Sequence, residues 1–248
     1  MQRILILGVG LVGSRLAIRL REARYWVAGT TTTLAKVAEL GAICDEVTVL
    51  RGDDAPGLKA LAKDKDAVIV TVGPNVRRAR TAIERDIEYR QALEVTCQNA
   101  AAAHPRCIFI SSFSVYGDGG VGDAPITEVS PLSTSTEPSV RYYQRAEAAI
   151  LANPEGAVLR VPDVYGGKDD LSFTERVKLG DTLMGGNVPF GPDALLDRVH
   201  AEDVAAAIHH ALEHDLRGIY NVCDNRETPP TNKAVFDSLA DAAGIERL

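Results

Sequence analysis

Close to its first residue the chain reads Ile4-Leu5-Ile6-Leu7-Gly8-Val9-Gly10-Leu11-Val12-Gly13. An unbroken apolar run such as Ile4–Leu7 is typical of a strand that is buried on both faces of a parallel sheet. The glycines that follow form a G-x-G-x-x-G turn, and helical spacing begins behind them. Such a turn lets the backbone approach a pyrophosphate, which the N-terminus of the next helix attracts. We therefore predict a dinucleotide at Gly8, Gly10, Leu11, Val12 and Gly13; the alternative is a tight turn without a ligand.

Apolar runs alternate with helical patterns through the first half of the chain. The predicted strands are Arg3–Leu7, Trp26–Thr30, Ile43–Val49, Ala67–Val72 and Cys107–Ser112. The predicted helices are Leu11–Ala23, Thr33–Leu40, Pro56–Lys63 and the long stretch Arg77–Ala103. This alternation indicates βαβ units, whose right-handed crossovers place helices on both faces of a mostly parallel sheet. The predicted fold class is α/β, a doubly wound Rossmann fold.

The second half of the chain is less regular. Residues 113–138 are rich in Gly, Ser, Thr and Pro, and residues 162–198 are irregular apart from a short predicted helix at Leu171–Leu179. We expect both segments to lie over a substrate cleft, with a small C-terminal lid region. The remaining predicted elements are helices Val140–Leu151, Ala201–Glu213 and Asn232–Ala243 and strands Ala157–Val161 and Gly218–Val222. Because no repeat or linker interrupts the pattern, we predict one domain over residues 1–248.

Charge, apolar runs and cysteine spacing exclude several kinds of function. The formal net charge is −7, from 34 acidic and 27 basic side chains, whereas a nucleic-acid-binding surface needs a basic field. No apolar run approaches the length of a membrane span, and the first residues do not resemble a signal peptide. We therefore predict a cytoplasmic protein that binds neither nucleic acid nor membrane. No C-x-x-C pair occurs, and no carboxylate pattern accompanies His209, His210 and His214, so we predict no metal site.

Five further motifs follow the glycine turn in order along the chain. They are Arg51-Gly52-Asp53, Val72-Gly73-Pro74, Ile110-Ser111-Ser112-Phe113-Ser114-Val115-Tyr116-Gly117, Leu159-Arg160-Val161-Pro162 with Tyr165-Gly166, and Arg198-Val199-His200-Ala201-Glu202-Asp203-Val204. Together with the turn, they make the chain resemble the short-chain dehydrogenase/reductase superfamily. The resemblance is to its extended and atypical branches, the NAD-dependent epimerase/dehydratase-like proteins, and it covers nearly the whole chain.

The resemblance assigns roles to several of these residues. It implies that Asp53 approaches the adenine of the cofactor and that the backbone of Val72 and Gly73 passes along the cofactor. Ser112 lies four residues before Tyr116, where the family carries the catalytic Ser or Thr that bonds the substrate oxygen. The alternative for Ser112 is a strand-end hydroxyl that caps the following loop. The resemblance also implies a small-molecule substrate and a homodimer through two long helices, one of them Arg77–Ala103.

The chain departs from the family at the acid–base pair. The family uses a Tyr with a Lys four residues later, since a neighbouring ammonium lowers the pKa of the phenol. No tyrosine of this chain has a lysine at that spacing. The matching helix carries Ser139, Tyr143 and Glu147, so that either Ser139 and Tyr143 or Tyr143 and Glu147 replace the pair. The proton donor is therefore predicted to be Tyr143, Tyr116 or water.

The residues after the second predicted strand bear on the choice of nucleotide. An NAD site usually has an acidic residue about twenty positions after the glycine turn. Here the strand runs into Thr30-Thr31-Thr32-Thr33, and the first acid after it is Glu39. Hydroxyl groups do not repel a 2′-phosphate, and Arg15 and Lys36 supply positive charge. We therefore favour NADP over NAD, with Thr30, Thr31 and Arg15 at the cofactor; a helix N-cap with β-branched strand residues is the alternative for the threonines.

Two functions agree with these observations. The first is an atypical NAD(P)-dependent oxidoreductase, related to the epimerases and dehydratases, that acts on a carbonyl or sugar-like small molecule. Ser112 and the long irregular segments favour this function. The second is a dinucleotide-binding sensor or regulator without turnover. The intact glycine turn combined with the missing Tyr–Lys pair favours the second function.

Overall fold

The computed structural model describes residues 1–76, 79–117, 125–167, 192, 193, 195–224 and 229–244. The predicted helix Leu171–Leu179 lies outside these residues. The chain divides into two units, the first comprising Met1–Val161 with Ala201–Val222 and the second Pro162–His200 with Cys223–Leu248. The prediction of one domain over 1–248 stays a prediction. In the described ranges, no helix has both the length and the apolar character needed to cross a membrane.

A parallel sheet of seven strands forms the first unit. Its strands are β1 (Arg3–Leu7), β2 (Trp26–Thr31), β3 (Glu46–Val49), β4 (Ala67–Val70), β5 (Cys107–Ser112), β6 (Ala157–Val161) and β9 (Gly218–Asn221). The strands β7 (Asp163–Tyr165) and β8 (Arg198–His200) belong to the second unit. The order across the sheet is β3-β2-β1-β4-β5-β6-β9, and every neighbouring pair is parallel. The strand order reverses between β1 and β4, which confirms the predicted doubly wound α/β fold.

Eight α-helices connect or follow these strands in the described residues. They are α1 (Leu11–Glu22), α2 (Val37–Leu40), α3 (Ala55–Ala62), α4 (Ala82–Tyr89), α5 (Thr96–Ala103), α6 (Pro138–Leu151), α7 (Ala201–Glu213) and α8 (Asn232–Ala243). A π-helical segment, Arg90–Val95, joins α4 to α5. The predicted helix Arg77–Ala103 thus begins at Ala82, because Thr81 caps it by accepting the Glu84 N–H at 3.1 Å.

The core lies on both faces of the sheet, as the apolar strands predict. On one face Leu5, Leu7, Val68 and Phe109 pack with residues of α3, α5 and α6. On the other face α1 packs against α7, burying Leu16 and Ile208 completely. Each such buried leucine or isoleucine contributes about 1.5–3 kcal/mol relative to an exposed one. This packing holds the carboxyl ends of the parallel strands along one edge of the sheet.

Three sequence predictions need correction. Residues 162–198, predicted to be irregular, contain β7, which pairs in parallel with β8. The first irregular segment contains a 3₁₀ helix at Phe113–Tyr116. The predicted strand Ile43–Val49 begins only at Glu46, because Ile43 and Cys44 donate their N–H groups to Leu40 O and close α2. These elements are too short to have a readable period, and β7 and β8 pair over a long sequence separation.

Candidate functional site

The glycine turn after β1 is fixed by close packing at two of its glycines. Gly8 has a φ of +88°, and a Cβ there would lie 2.9 Å from Val72 Cγ2. A Cβ on Gly13 would lie 2.6 Å from Gly8 O and 3.0 Å from Thr71 Oγ1. These distances are shorter than ordinary Cβ contacts, so only glycine fits the two positions without displacing a neighbour. The shape of the turn is therefore set by its own backbone and by Thr71 and Val72, which follow β4.

Gly10 differs from its neighbours because space is open beside it. Gly8 O, at 4.0 Å, is the nearest atom that a Cβ on Gly10 would meet, and a Cβ on Gly73 would meet nothing within 4 Å. Gly10 O accepts the first helical bond, from Ser14 N at 2.9 Å. The N–H groups of Leu11, Val12 and Gly13 therefore lie in the first turn of α1, where no helical carbonyl is available. Since this turn also lacks acidic side chains, it fits a diphosphate.

Thr30 and Thr31 lie beside this turn as part of its framework. Thr30 is 3% exposed, and its Oγ1 accepts the N–H of Gly8 at 2.9 Å. Its carbonyl oxygen accepts the N–H of Val9 at 2.9 Å. Thr31 Oγ1 accepts the N–H of Thr33 at 3.2 Å. Both hydroxyls thus shape the backbone around the turn, and their contact with a cofactor phosphate stays a prediction.

Arg15 ties α1 to α7. Its Nη1 donates to Leu11 O at 3.0 Å, and its Nε lies 3.0 Å from Glu202 Oε1. An arginine already paired with a carboxylate has to exchange that partner before it binds a phosphate. The predicted cofactor contact of Arg15 therefore stays a prediction, and the structure gives this side chain a role in helix packing that the sequence did not indicate.

Ser112 ends β5 and begins the 3₁₀ helix. Its Oγ accepts the N–H of Ser114 at 3.1 Å, which is the capping role considered as an alternative. Accepting this bond uses a lone pair, and the hydroxyl hydrogen can still be donated to another oxygen. Capping also orients the hydroxyl at the carboxyl end of the strand. The two roles of Ser112 are therefore compatible.

A buried polar network lies next to Ser112, and the sequence analysis did not find it. Ser111 donates to Glu147 Oε1 at 2.5 Å, and the guanidinium of Arg160 bonds both oxygens of Glu147 at 3.0 and 2.7 Å. The Nη1 of Arg160 donates to Tyr116 Oη at 2.7 Å, and Tyr116 donates to Asn221 Oδ1 at 2.8 Å. Each of these groups has a partner, so the network holds β5, α6, β6 and β9 together.

The hydrogen bonds of this network limit the roles that Tyr116 and Glu147 can have. Tyr116 is 5% exposed, and its hydroxyl donates one hydrogen bond and accepts another within the network. This hydroxyl is therefore not available to a substrate. The two carboxylate oxygens of Glu147 accept hydrogen bonds from Ser111 and Arg160 in the interior. This arrangement favours the alignment in which Ser139 and Tyr143 occupy the Tyr and Lys positions of the family, with Glu147 as the later glutamate of that helix.

Tyr143 packs against the sheet. Its ring stacks on Phe109 with the centroids 6.1 Å apart. Burial raises the pKa of the Tyr143 phenol well above its usual value, and the neighbouring Tyr89 and Cys97 raise it further. At neutral pH this phenol keeps its proton, whereas the family's chemistry needs a lowered pKa. The catalytic role of Tyr143 stays a prediction that its surroundings oppose.

The sequence of this chain is similar to a family profile and to a protein of Escherichia coli. The sequence profile of the NAD dependent epimerase/dehydratase family matches residues 4–223. The protein YeeZ of Escherichia coli K12 is 29% identical over 256 aligned residues, which cover 99% of this chain and 85% of YeeZ. A match of the family profile over most of the chain shows the family directly.

Solved structures of other proteins have the same fold as this chain. The enzyme WbmH of Bordetella bronchiseptica, in complex with NAD+, has a TM-score of 0.76 at 19% identity and covers 98% of this chain and 82% of its own. The UDP-glucose 4-epimerase of Thermotoga maritima, with UDP-glucose, has a TM-score of 0.73 at 19% identity and covers 100% and 84%. The resemblance found in the sequence motifs is confirmed: the chain belongs to the NAD-dependent epimerase/dehydratase family.

Proposed function

We propose that this protein binds NADP or NAD at the carboxyl edge of the sheet and acts on a carbonyl or sugar-like small molecule. The single observation that carries the proposal is the glycine turn, with open space at Gly10 and first-turn N–H groups that have no helical acceptor. The NAD+ bound to WbmH and the UDP-glucose bound to the Thermotoga epimerase support the cofactor and the substrate class. Bound nicotinamide would supply a hydride donor or acceptor.

Ser112 is the side chain of this edge that we propose for substrate contact. Its hydroxyl donates a hydrogen bond to the substrate oxygen and polarises the carbonyl, while Ser114 N–H holds the Oγ in place. Tyr116 is used by the buried network, and Tyr143 keeps its proton, so we assign proton transfer to water. Because a positioned acid or base usually contributes about 10²–10⁴-fold, we expect slow turnover.

We further propose a preference for NADP. β2 ends at Thr31, and no carboxylate follows it before Glu39, so the strand end has no acidic side chain to bond the 2′-OH of NAD or to repel a 2′-phosphate. Leu34–Lys36 forms a 3₁₀ helix shortly after this strand, and we propose that Lys36 supplies positive charge to the 2′-phosphate. The preference follows from charge alone and is measured as the ratio of the Kd values for NADH and NADPH.

Cofactor binding is tested by titrating NADPH and NADH and following nicotinamide fluorescence. We expect submillimolar binding by the wild type and its loss in Gly10→Val, whose Cβ would meet no atom nearer than Gly8 O at 4.0 Å and whose side chain enters the space proposed for the diphosphate. Gly41→Ala is the matched control, since its Cβ would meet nothing nearer than 3.4 Å and Gly41 ends α2. Failure of the wild type to bind either nucleotide, or equal binding by Gly10→Val, contradicts the proposal.

A sensor without turnover is the second candidate function. The observation that favours it is that the hydroxyl of Tyr116 is bonded within the buried network and that a raised pKa makes the Tyr143 phenol a weak acid, which leaves the edge without a strong side-chain acid. A panel of carbonyl compounds and nucleotide sugars separates the two candidates. Nucleotide binding without turnover of any compound supports the sensor, whereas a rate that Ser112→Ala abolishes supports the enzyme.

We also propose a homodimer across α4. Ile83 is 73% exposed and Ile87, one turn later, is 48% exposed, which forms an apolar stripe on the outer face of this helix. The helix is anchored to α6 by Tyr142, whose hydroxyl donates to Asp86 Oδ2 at 2.8 Å. Light scattering is expected to give twice the monomer mass for the wild type and the monomer mass for Ile83→Lys/Ile87→Lys.

A further inference from the structure

Gly8 is the residue at which the chain leaves β1 and turns toward α1. Its φ of +88° lies in the left-handed region, which glycine populates about as readily as negative φ. The conformation of Gly8 is fixed when the two peptide planes beside it are fixed. One plane contains Leu7 O and Gly8 N–H, and the other contains Gly8 O and Val9 N–H. Each of these four groups is hydrogen-bonded to one of two threonines, Thr30 and Thr71.

Thr30 of β2 accepts the N–H group of both planes. Its Oγ1 accepts the N–H of Gly8 at 2.9 Å, and its carbonyl oxygen accepts the N–H of Val9 at 2.9 Å. The pairing of β1 with β2 runs as far as Ile6 opposite Gly29, so Thr30 lies one residue beyond the last pair. Because Thr30 is buried, water does not compete for its hydroxyl. β2 thus holds the N–H side of Gly8.

Thr71, the residue after β4, donates to the carbonyl groups of both planes. Its N–H donates to Leu7 O at 3.0 Å. Its Oγ1 lies 2.7 Å from Gly8 O and 3.1 Å from Leu7 O. A threonine hydroxyl has one hydrogen to donate, and the shorter distance assigns it to Gly8 O. The two strands that flank β1 thus hold Gly8 from opposite sides, β2 by its N–H groups and the end of β4 by its carbonyl groups.

The same bonds decide which N–H groups of the turn remain for a ligand. Gly8 O, held by Thr71, also accepts the N–H of Gly10 at 2.8 Å. The N–H groups of Gly8, Val9 and Gly10 are therefore all bound within the protein. The next three N–H groups have no helical acceptor; they belong to Leu11, Val12 and Gly13. The direction of Gly8 O thus sets the start of the stretch that is open to a diphosphate.

Resting on the proposed dinucleotide binding, we propose that Thr30 and Thr71 are positioning residues for the diphosphate. They form a threonine clamp that holds Gly8 at positive φ before the ligand binds. Fixing the backbone of a residue costs conformational entropy, and a loop that is already ordered spends less of the binding free energy on that cost. This role requires no contact between Thr71 and the dinucleotide. The hydroxyl of Thr71 is the part of the clamp that a substitution removes without changing the backbone.

The test measures the Kd of NADPH by nicotinamide fluorescence on the whole protein, with the melting temperature recorded for each variant. Thr71→Ala removes the hydroxyl and is expected to raise the Kd about three- to tenfold, the effect of one lost hydrogen bond. Thr71→Ser keeps the hydroxyl and is expected to stay within about twofold of the wild-type Kd. Thr30→Ala and Thr30→Ser make the same comparison on the N–H side. This second pair carries the test should Thr71→Ala fail to fold.

Thr96→Ala is the matched control, since Thr96 is a buried threonine of α5 whose Oγ1 also donates to a backbone oxygen, that of Gln91 at 2.9 Å. It is expected to lower the melting temperature and to keep the wild-type Kd. An unchanged Kd in Thr71→Ala, or an equal rise in Thr71→Ser or Thr96→Ala, overturns the clamp while dinucleotide binding stands. Failure of the wild type to bind NADPH and NADH overturns the proposed function, and this inference with it.

Discussion

Two strands of the same sheet end in polar regions that are built in opposite ways. After β1 the N–H groups of Leu11, Val12 and Gly13 have no helical acceptor, and space is open beside Gly10. At the end of β5 the residues Ser111, Glu147 and Arg160 are at most 3% exposed and bond one another. The first, which we call the open region, leaves its N–H groups available to a ligand. The second, the closed region, uses its polar groups to hold neighbouring elements together.

This comparison explains why the chain keeps one family feature and loses another. The glycine turn is specified by backbone geometry, so the residues around it are free to differ. The acid–base pair needs particular side chains on α6, and this helix instead presents Tyr143 to the core and Glu147 to Arg160. The glycine turn and the acid–base pair are thus separate features, and the chain has the first without the second.

The largest expected effect is on the closed region. Glu147→Gln leaves the buried guanidinium of Arg160 without a countercharge, and we expect a loss of about 3–5 kcal/mol in the free energy of unfolding. Urea denaturation measures it. Glu137→Gln, which removes an exposed pair with Arg85 at 3.4 Å, is the control and is expected to cost less than about 1 kcal/mol. Equal costs for the two variants contradict the contrast between open and closed regions.

The next effect separates two glycines of the open region. Gly13→Ala places a Cβ 2.6 Å from Gly8 O, and we expect it to cost about 1–3 kcal/mol because backbone has to move. Gly10→Ala meets no atom nearer than 4.0 Å and is expected to change stability by less than about 0.5 kcal/mol. Denaturation of both variants gives the comparison. Similar losses at the two positions are incompatible with the described turn.

A pH dependence tests the burial of Tyr143. Its folded pKa is raised above the ordinary value near 10, so the stabilisation is complete below that pH and is lost as pH rises toward the folded pKa. Above about pH 10 the wild type should lose up to about 1.4 kcal/mol per pH unit more than Tyr143→Phe. Unfolding titrations at alkaline pH measure the difference. Parallel stability curves for the two proteins contradict burial of the phenol.

The smallest effect concerns Ser112, which lies at the boundary of the two regions. Ser112→Ala removes the cap of the 3₁₀ helix, and we expect a cost of about 0.5–1 kcal/mol with dinucleotide affinity unchanged within about twofold. Ser112→Thr keeps the hydroxyl and is expected to restore the cap. Calorimetry and the nucleotide titration provide the two readouts. A loss of several kcal/mol in the free energy of unfolding would instead indicate that Ser112 belongs to the closed region.

Local patterns predicted most of the fold. The apolar run of β1, its glycines and the start of α1 occupy one continuous stretch, so their spacing is readable from that stretch alone. The strand bounds of β1, β5 and β6 agree with the sequence prediction. The short strands β7 and β8 were missed because three residues have no period, and their pairing depends on a partner 35 residues away (Arg198 Nε and Asp163 Oδ2, 3.1 Å).

The sequence by itself determined the family, the parallel sheet and the turn that fits a diphosphate, because these follow from runs of apolar residues and from glycines at fixed spacing. The tertiary structure alone decided the use of the remaining polar side chains. It paired Arg160 with Glu147, Arg15 with Glu202 and Arg51 with Gln91. A charged side chain in a sequence carries no mark of its partner; burial and chain topology choose that partner when distant segments meet.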